Sequence, residues 1–112
     1  MKQGWKTLKN VEEKSNKQAR KRKKVDYVFD EGKYLSEIWD SIDKTYTSHY
    51  AQNKIQSTEF ISDCGHGMGF AIGNILKYAQ RYGRKGTPED ARSDLMKVLH
   101  YSIIALSEHD KS

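Results

Sequence analysis

The segment GNILKYAQRYGRK, residues 73–85, decides how the rest of the chain is read. At about 100° per residue it forms a helix with two unlike faces. Asn74, Lys77, Tyr78 and Arg81 fall on one narrow stripe, and Lys85 continues its line past the helix end. Ile72, Ile75, Leu76 and Ala79 take the opposite side and are expected to face a core. An ordinary solvated face beside a core stripe shows the same spacing. The chemistry sets this stripe apart: an amide, a phenol and cations that can converge on one anionic ligand.

Reading outward, Gly83 is a plausible left-handed stop for this helix. Thr87-Pro88-Glu89-Asp90 then forms a start signal, with a capping hydroxyl, proline at the first helical position and acids near the positive end of the dipole. The last helix is predicted to run to about Glu108, with Leu95, Val98, Leu99, Ile103 and Leu106 as its core stripe. Asp90, Asp94, Lys97 and Tyr101 make a second, polar line away from it. Upstream, Asp30 can cap a helix carrying Leu35, Ile38, Trp39, Ile42 and Tyr46. The polar stretch Thr47 to Gln56 is expected to break it, and Ser57 or Thr58 to open a short helical turn ending near Gly65. Val25 to Phe29 is compatible with a short extended piece, but no segment alternates as a strand does. These signals predict a small all-α domain ending in an antiparallel helix hairpin.

The charge is unevenly spread. Residues 1–24 hold ten Lys and Arg against two Glu, a net of +8 that leaves −3 of the overall +5 for the remainder. This marks residues 1–24 as a basic arm and residues 25–112 as one helical domain. The run Arg20, Lys21, Arg22, Lys23, Lys24 can contact nucleic-acid phosphates. A solvated tail carries the same pattern, and no aromatic residue interrupts the run to stack on bases. With 112 residues and only 36% hydrophobic, a monomer is marginal, so a homo-oligomer is expected. The single Cys64 excludes an intrachain disulfide, the start is too polar for a signal peptide, and no run is long and apolar enough to span a bilayer. The expectation is a cytoplasmic, soluble protein without a membrane partner.

Motifs narrow the chemistry. GxxxxGK[ST] fits nowhere, because Phe70, Ile72 and Asn74 stand five residues after Gly65, Gly67 and Gly69. GxGxxG fails as well, with Phe70 and Ile72 at the third glycine positions. The GHGMG segment (65–69) offers backbone amides at a helix start, although turn-making alone accounts for its glycines. Asp90 and Asp94, one turn apart, can hold Mg²⁺; Asp94 can equally position Arg81, Lys97 or a ribose.

His49-Tyr50, Gly73-Asn74, Lys77-Tyr78, Arg81, Gly83-Arg84-Lys85, Glu89-Asp90, Asp94-Leu95, Lys97 and Tyr101 together resemble the SaV-like family of phage and prophage proteins (domain of unknown function 3310). The resemblance covers about residues 49–107 and gives residues 1–48 no role. That family includes a phage early-gene nucleotide kinase without a P-loop. The resemblance implies a phage nucleoside monophosphate kinase acting on deoxynucleotides such as dTMP or dGMP, with a nucleoside triphosphate donor and Mg²⁺ as a candidate cofactor. If phage-encoded, it would work in the host cytoplasm.

Phosphoryl transfer requires positioning and charge neutralisation, which Lys77, Arg81, Arg84 and Lys85 can supply. Asn74, Tyr78, Tyr50, Lys97 and Tyr101 can bind base, sugar or phosphate. His49 can touch phosphate or move a proton, and Asp94 can orient a cation or the nucleophile. Two other readings remain open at this stage. An all-α nucleotide pyrophosphohydrolase needs several carboxylates, yet the Asn74 helix has none between Gly67 and Arg81. A non-enzymatic nucleic-acid-binding or regulatory module would use the basic arm.

Overall fold

The computed structural model describes residues 25–112, with the side chains of residues 49–51 excepted, so the basic arm lies outside the described residues. Val25 to Tyr27 has no regular structure, and Val28 and Phe29 form a turn in which the Asp30 amide donates to the Tyr27 carbonyl (3.4 Å). The segment compatible with an extended piece forms no strand, and its end is a turn. Asp30 has φ +60°, not the extended backbone that an N-cap requires.

Glu31–Ser112 is one compact unit of four helices among the described residues. They are α1 (Glu31–Thr47), α2 (His49–Asp63), α3 (Gly67–Arg81) and α4 (Pro88–Lys111). No described residue lies in a strand, so the described fold is all-α. No described helix is long and apolar enough to cross a membrane.

Local signals explain the ends of the hairpin. α3 stops at Arg81 because Tyr82 leaves the helix and Gly83 turns left-handed (φ +73°). Thr87 is extended and caps α4 in a reciprocal box: its hydroxyl accepts from the Asp90 amide (3.1 Å), and its own amide donates to Asp90 Oδ2 (2.9 Å). Pro88 occupies the first turn, as expected, but α4 continues past Glu108 to Lys111.

The polar stretch after Thr47 does not break the helical path as expected. Only Ser48 interrupts it, and α2 begins at His49. A carbonyl freed at that joint finds its donor in a polar side chain. The Tyr46 carbonyl accepts from Gln52 Nε2 (2.9 Å), and Thr47 Oγ1 adds a bond back to the Asp43 carbonyl within α1. Ser57 and Thr58 are thus interior residues of a 15-residue helix, not the start of a short one.

α3 and α4 share the largest contact, and α2 packs on α1 and α3. Gly67 faces Glu108 while Arg81 faces Asp94, so the two helices run antiparallel. Arg92 of α4 clasps Glu37 of α1 with both terminal nitrogens, one at 2.7 Å, and its guanidinium lies over the Tyr34 ring. The buried apolar residues are few: Ile38, Ala71 and Tyr78.

The predicted orientation of the hairpin is reversed. Ile72 and Leu76 are 43% and 64% exposed, Ala79 is exposed, and only Ile75 is half-buried. On α4, Leu95, Leu99, Ile103 and Leu106 are also exposed, with Val98 half-buried. From the stripes read as polar faces, Tyr78 on α3 and Asp94 on α4 turn inward and are buried, whereas Lys77, Arg81 and Asp90 stay exposed. Small residues at Gly67 and Ala71 permit close approach along that line. Hydrophobic periodicity identifies which residues avoid water, but not what covers them.

Acid should destabilise this unit in two stages. Burial pushes the His100 imidazole below its ordinary 6.5, so the folded state resists a proton that the unfolded chain accepts. Stability then falls as pH drops below about 6.5. Hydrogen bonds from Arg92 to Glu37, from the Thr87 backbone to Asp90, and from Ser62 to Glu108 hold those carboxyls below 4.5, 3.8 and 4.5 respectively. Their contribution is complete above the unfolded values and disappears as pH falls through the lower folded ones. Thermal melts followed by circular dichroism should show one decline beginning near pH 6.5 and a second below about pH 4.5. His100→Gln should remove only the first.

Candidate anion-binding cleft

α2, α3 and α4 enclose a wide-mouthed cleft of about 390 Å³. From α2 come Asn53, Lys54, Ser57, Thr58 and Ile61, at the three- and four-residue spacing of one helix face. The hairpin contributes Phe70, Asn74, Lys77, Tyr78 and Tyr101. Its wall is thus aromatic on one side and rich in hydroxyls and amides on the other. Asn74 is steadied by donating from Nδ2 to the Phe70 carbonyl (2.9 Å).

Tyr78 organises the hairpin wall. Its ring stacks on Tyr101 with centroids 6.0 Å apart and 13° between planes, and Phe70 meets Tyr101 edge-on at 5.9 Å. Burial, and then the neighbouring Tyr78, push the Tyr101 phenol above its ordinary 10.0. Three cations surround the Tyr78 ring: Lys77 Nζ at 4.7 Å, Arg81 Cζ at 4.9 Å and Lys97 Nζ at 5.0 Å from its centre. Two come from α3 and one from α4, which places like charges close together.

Two carboxylates offset them: the exposed Asp90, whose charge reaches Arg81 and Lys97, and Asp94. Asp94, only 2% exposed, accepts from Arg81 Nη2 (2.7 Å) and Nε (3.2 Å) through one oxygen. That bond raises the Arg81 pKa above its ordinary value and leaves the Nη1 edge outside the pair. Among the described residues, Lys77 and Lys97 make no ion pair.

The structure thus brings Asn74, Lys77, Tyr78, Arg81, Asp94, Lys97 and Tyr101 together. Arg84 and Lys85 lie on the exposed turn between α3 and α4 and do not line the cleft. Asp90 caps α4, and Asp94 holds Arg81; among the described residues no three His, Cys, Asp or Glu gather as a metal-binding group. His49 and Tyr50 begin α2, with their side chains outside the description.

Sequence reasoning missed the α2 wall, because it read the first half of that helix as a break; the 54, 57, 58, 61 spacing was the available signal. It also missed Glu108. A Cβ at Gly67 would overlap the Glu108 carboxylate, which accepts from Ser62 Oγ (2.6 Å) and Lys111 Nζ (3.1 Å). The first turn of α3, expected to offer amides to a ligand, therefore already has the chain's own anion beside it.

A family model described as a protein of unknown function, DUF3310, matches residues 44–102, just over half the chain. The chain belongs to the DUF3310 family. No curated protein and no solved structure matches it. All ten cleft-lining residues of this DUF3310 member, with Arg81, Asp94 and Lys97, fall inside the matched span. Most of α1 and the whole basic arm fall outside it.

The ion pair makes a measurable claim. Arg81→Met strands the buried Asp94 carboxylate, which should lower the melting temperature by about 10 °C. Arg81→Met combined with Asp94→Leu should recover most of that loss. A single variant that melts like the parent would show that the pair does not hold the hairpin.

Proposed function

We propose that the cleft binds the phosphates of a nucleotide, and that the protein is a nucleoside monophosphate kinase without a P-loop. One observation carries the reading: Lys77, Arg81 and Lys97 converge on one aromatic ring beside a cleft, against two carboxylates, Asp94 bound to Arg81 and the exposed Asp90. An anion entering there relieves repulsion among fixed cations, which makes such a cluster suited to phosphate oxygens. The resemblance of the same residues to a family that includes a phage nucleotide kinase supplies the choice of reaction.

In this reading an oxygen of a deoxynucleoside monophosphate such as dTMP or dGMP attacks the γ-phosphorus of a triphosphate donor, and the diphosphate leaves. Lys77 and Lys97 neutralise charge developing on the transferred group, while Asp94 holds Arg81 in a fixed orientation toward it. Phe70, Tyr78 and Tyr101 form an apolar wall for a base, and Asn74 with the α2 hydroxyls offers hydrogen bonds to base or sugar. Asp90 and Asp94 do not suit a protein-held Mg²⁺, one being engaged in a helix cap and the other in the Arg81 pair. A divalent cation would arrive with the donor, on its phosphates. The same engagement weighs against a pyrophosphohydrolase, whose chemistry needs carboxylates free to hold metal. The nucleic-acid reading rests on residues 20–24, which lie outside the described residues.

Purified protein incubated with each deoxynucleoside monophosphate, a triphosphate donor and Mg²⁺ should form diphosphates resolvable by anion exchange. Lys77→Ala and Lys97→Ala should each lower kcat/KM by about 10²-fold while leaving helicity intact. Pyrophosphate release would indicate the hydrolase instead. Nucleotide binding without turnover would reduce the cleft to a binding site.

A further inference from the structure

The hairpin carries a second face that the cleft does not use. On α3, Ile72 follows the buried Ala71; on α4, Leu95 follows the buried Asp94. One step further along each helix is a rotation of about 100° in the same sense, which in an antiparallel pair leads to the same side. Phe70 and Lys77, each one residue before a buried position, lie on the other side, in the cleft. The side away from the cleft therefore gathers Met68, Ile72 and Leu76 from α3 with Leu95, Leu99, Ile103 and Leu106 from α4. Their exposures run from 38% at Met68 to 65% at Leu106.

This face lacks the charges of a solvated helix surface. Between Met68 and Gln80 the only charged residue is Lys77, and between Leu95 and Leu106 the only one is Lys97. Both belong to the Tyr78 cluster. Gly69 and Gly73 add an independent observation. Both lie inside α3, where glycine is disfavoured, and a Cβ at either would meet nothing within 4 Å in this chain. Nothing within the described residues requires them to be small, whereas an external helix packed closely would.

We infer that a second copy of this chain covers the face, hairpin against hairpin, about a two-fold axis. With these seven residues 38–65% exposed, the apolar surface is on the order of 600–700 Å², near the ~800 Å² per partner of a stable dimer. A two-fold contact places the same patch on both sides, matching one uncharged apolar surface with another. The basic arm is a poor occupant, since ten of its 24 residues are cations. The inference rests on this face alone and holds whether or not the opposite cleft binds a nucleotide.

Sedimentation equilibrium of the full chain tests it. The wild type should sediment at twice 13.0 kDa, or as an even-numbered assembly of that dimer. Leu76→Glu combined with Leu99→Glu should return it to 13.0 kDa with its helical circular dichroism retained. Gly73→Gln adds no charge and meets open space within one chain, so it should keep the fold while weakening association at least tenfold, a change of ~1.4 kcal/mol. A wild type that is monomeric at micromolar concentration, an odd-numbered assembly, or folded variants that remain associated would each overturn the inference.

Discussion

Asp94 is the largest side chain that the described residues remove almost entirely from water. A carboxylate in that position would ordinarily destabilise the fold by several kcal/mol, so its tolerance depends on what it meets. It meets Arg81, through two hydrogen bonds to one oxygen. Because Arg81 closes α3 and Asp94 lies near the start of α4, the pair fixes the two helices where the chain reverses between them. The Tyr78–Tyr101 stack continues the contact, and Glu108 at Gly67 closes its far end. The seam of this hairpin is thus polar at both ends and aromatic between, with aliphatic residues largely displaced to its outside.

That arrangement explains which parts of the fold were legible in the sequence. Chain reversal was legible because its signals are local. Gly83 must take positive φ, Thr87 and Asp90 can satisfy each other's amides, and Pro88 has no amide to lose. The convergence of Asn74, Lys77, Tyr78 and Arg81 was legible because helical spacing alone places them together. The inward face was not legible. Ile72, Leu76, Leu95 and Leu99 follow the core pattern, yet the aromatic and charged residues occupy the seam. The pattern records a preference for burial that one chain leaves unmet.

The other gaps have similarly specific causes. Thr47 to Gln56 reads as a break because its residues favour competing hydrogen bonds; here the Gln52 bond to the Tyr46 carbonyl spans the Ser48 joint, with helix on both sides. Losing that half of α2 hid Asn53 and Lys54, and with them one wall of the cleft. Glu108 and Gly67 are separated by 41 positions, and no local signal connects a glycine at a helix start to a carboxylate near the chain end. Arg84 and Lys85 show the opposite error. They continue a line of cations in the sequence, but Gly83 turns the backbone away from that line before they occur.

The two faces of the hairpin constrain each other through α3. Lys77 and Tyr78 belong to the cationic cleft and its seam, while Ile72 and Leu76 on the same helix look away from it. A cluster of like charges can respond to an incoming anion only if the helices bearing it do not separate under their own repulsion. Asp94 and Asp90 offset part of that repulsion, but the buried aliphatic residues, Ile38 and Ala71, add little beyond it. An apolar partner against the outer side would hold α3 and α4 from the face where their charges are absent. It would also bury the surface that this chain leaves exposed, without touching the cleft. Stability and ligand chemistry would then be divided between opposite sides of one helix pair. A chain with so small a core can keep its cations exposed to a ligand when the burial it needs is supplied from outside.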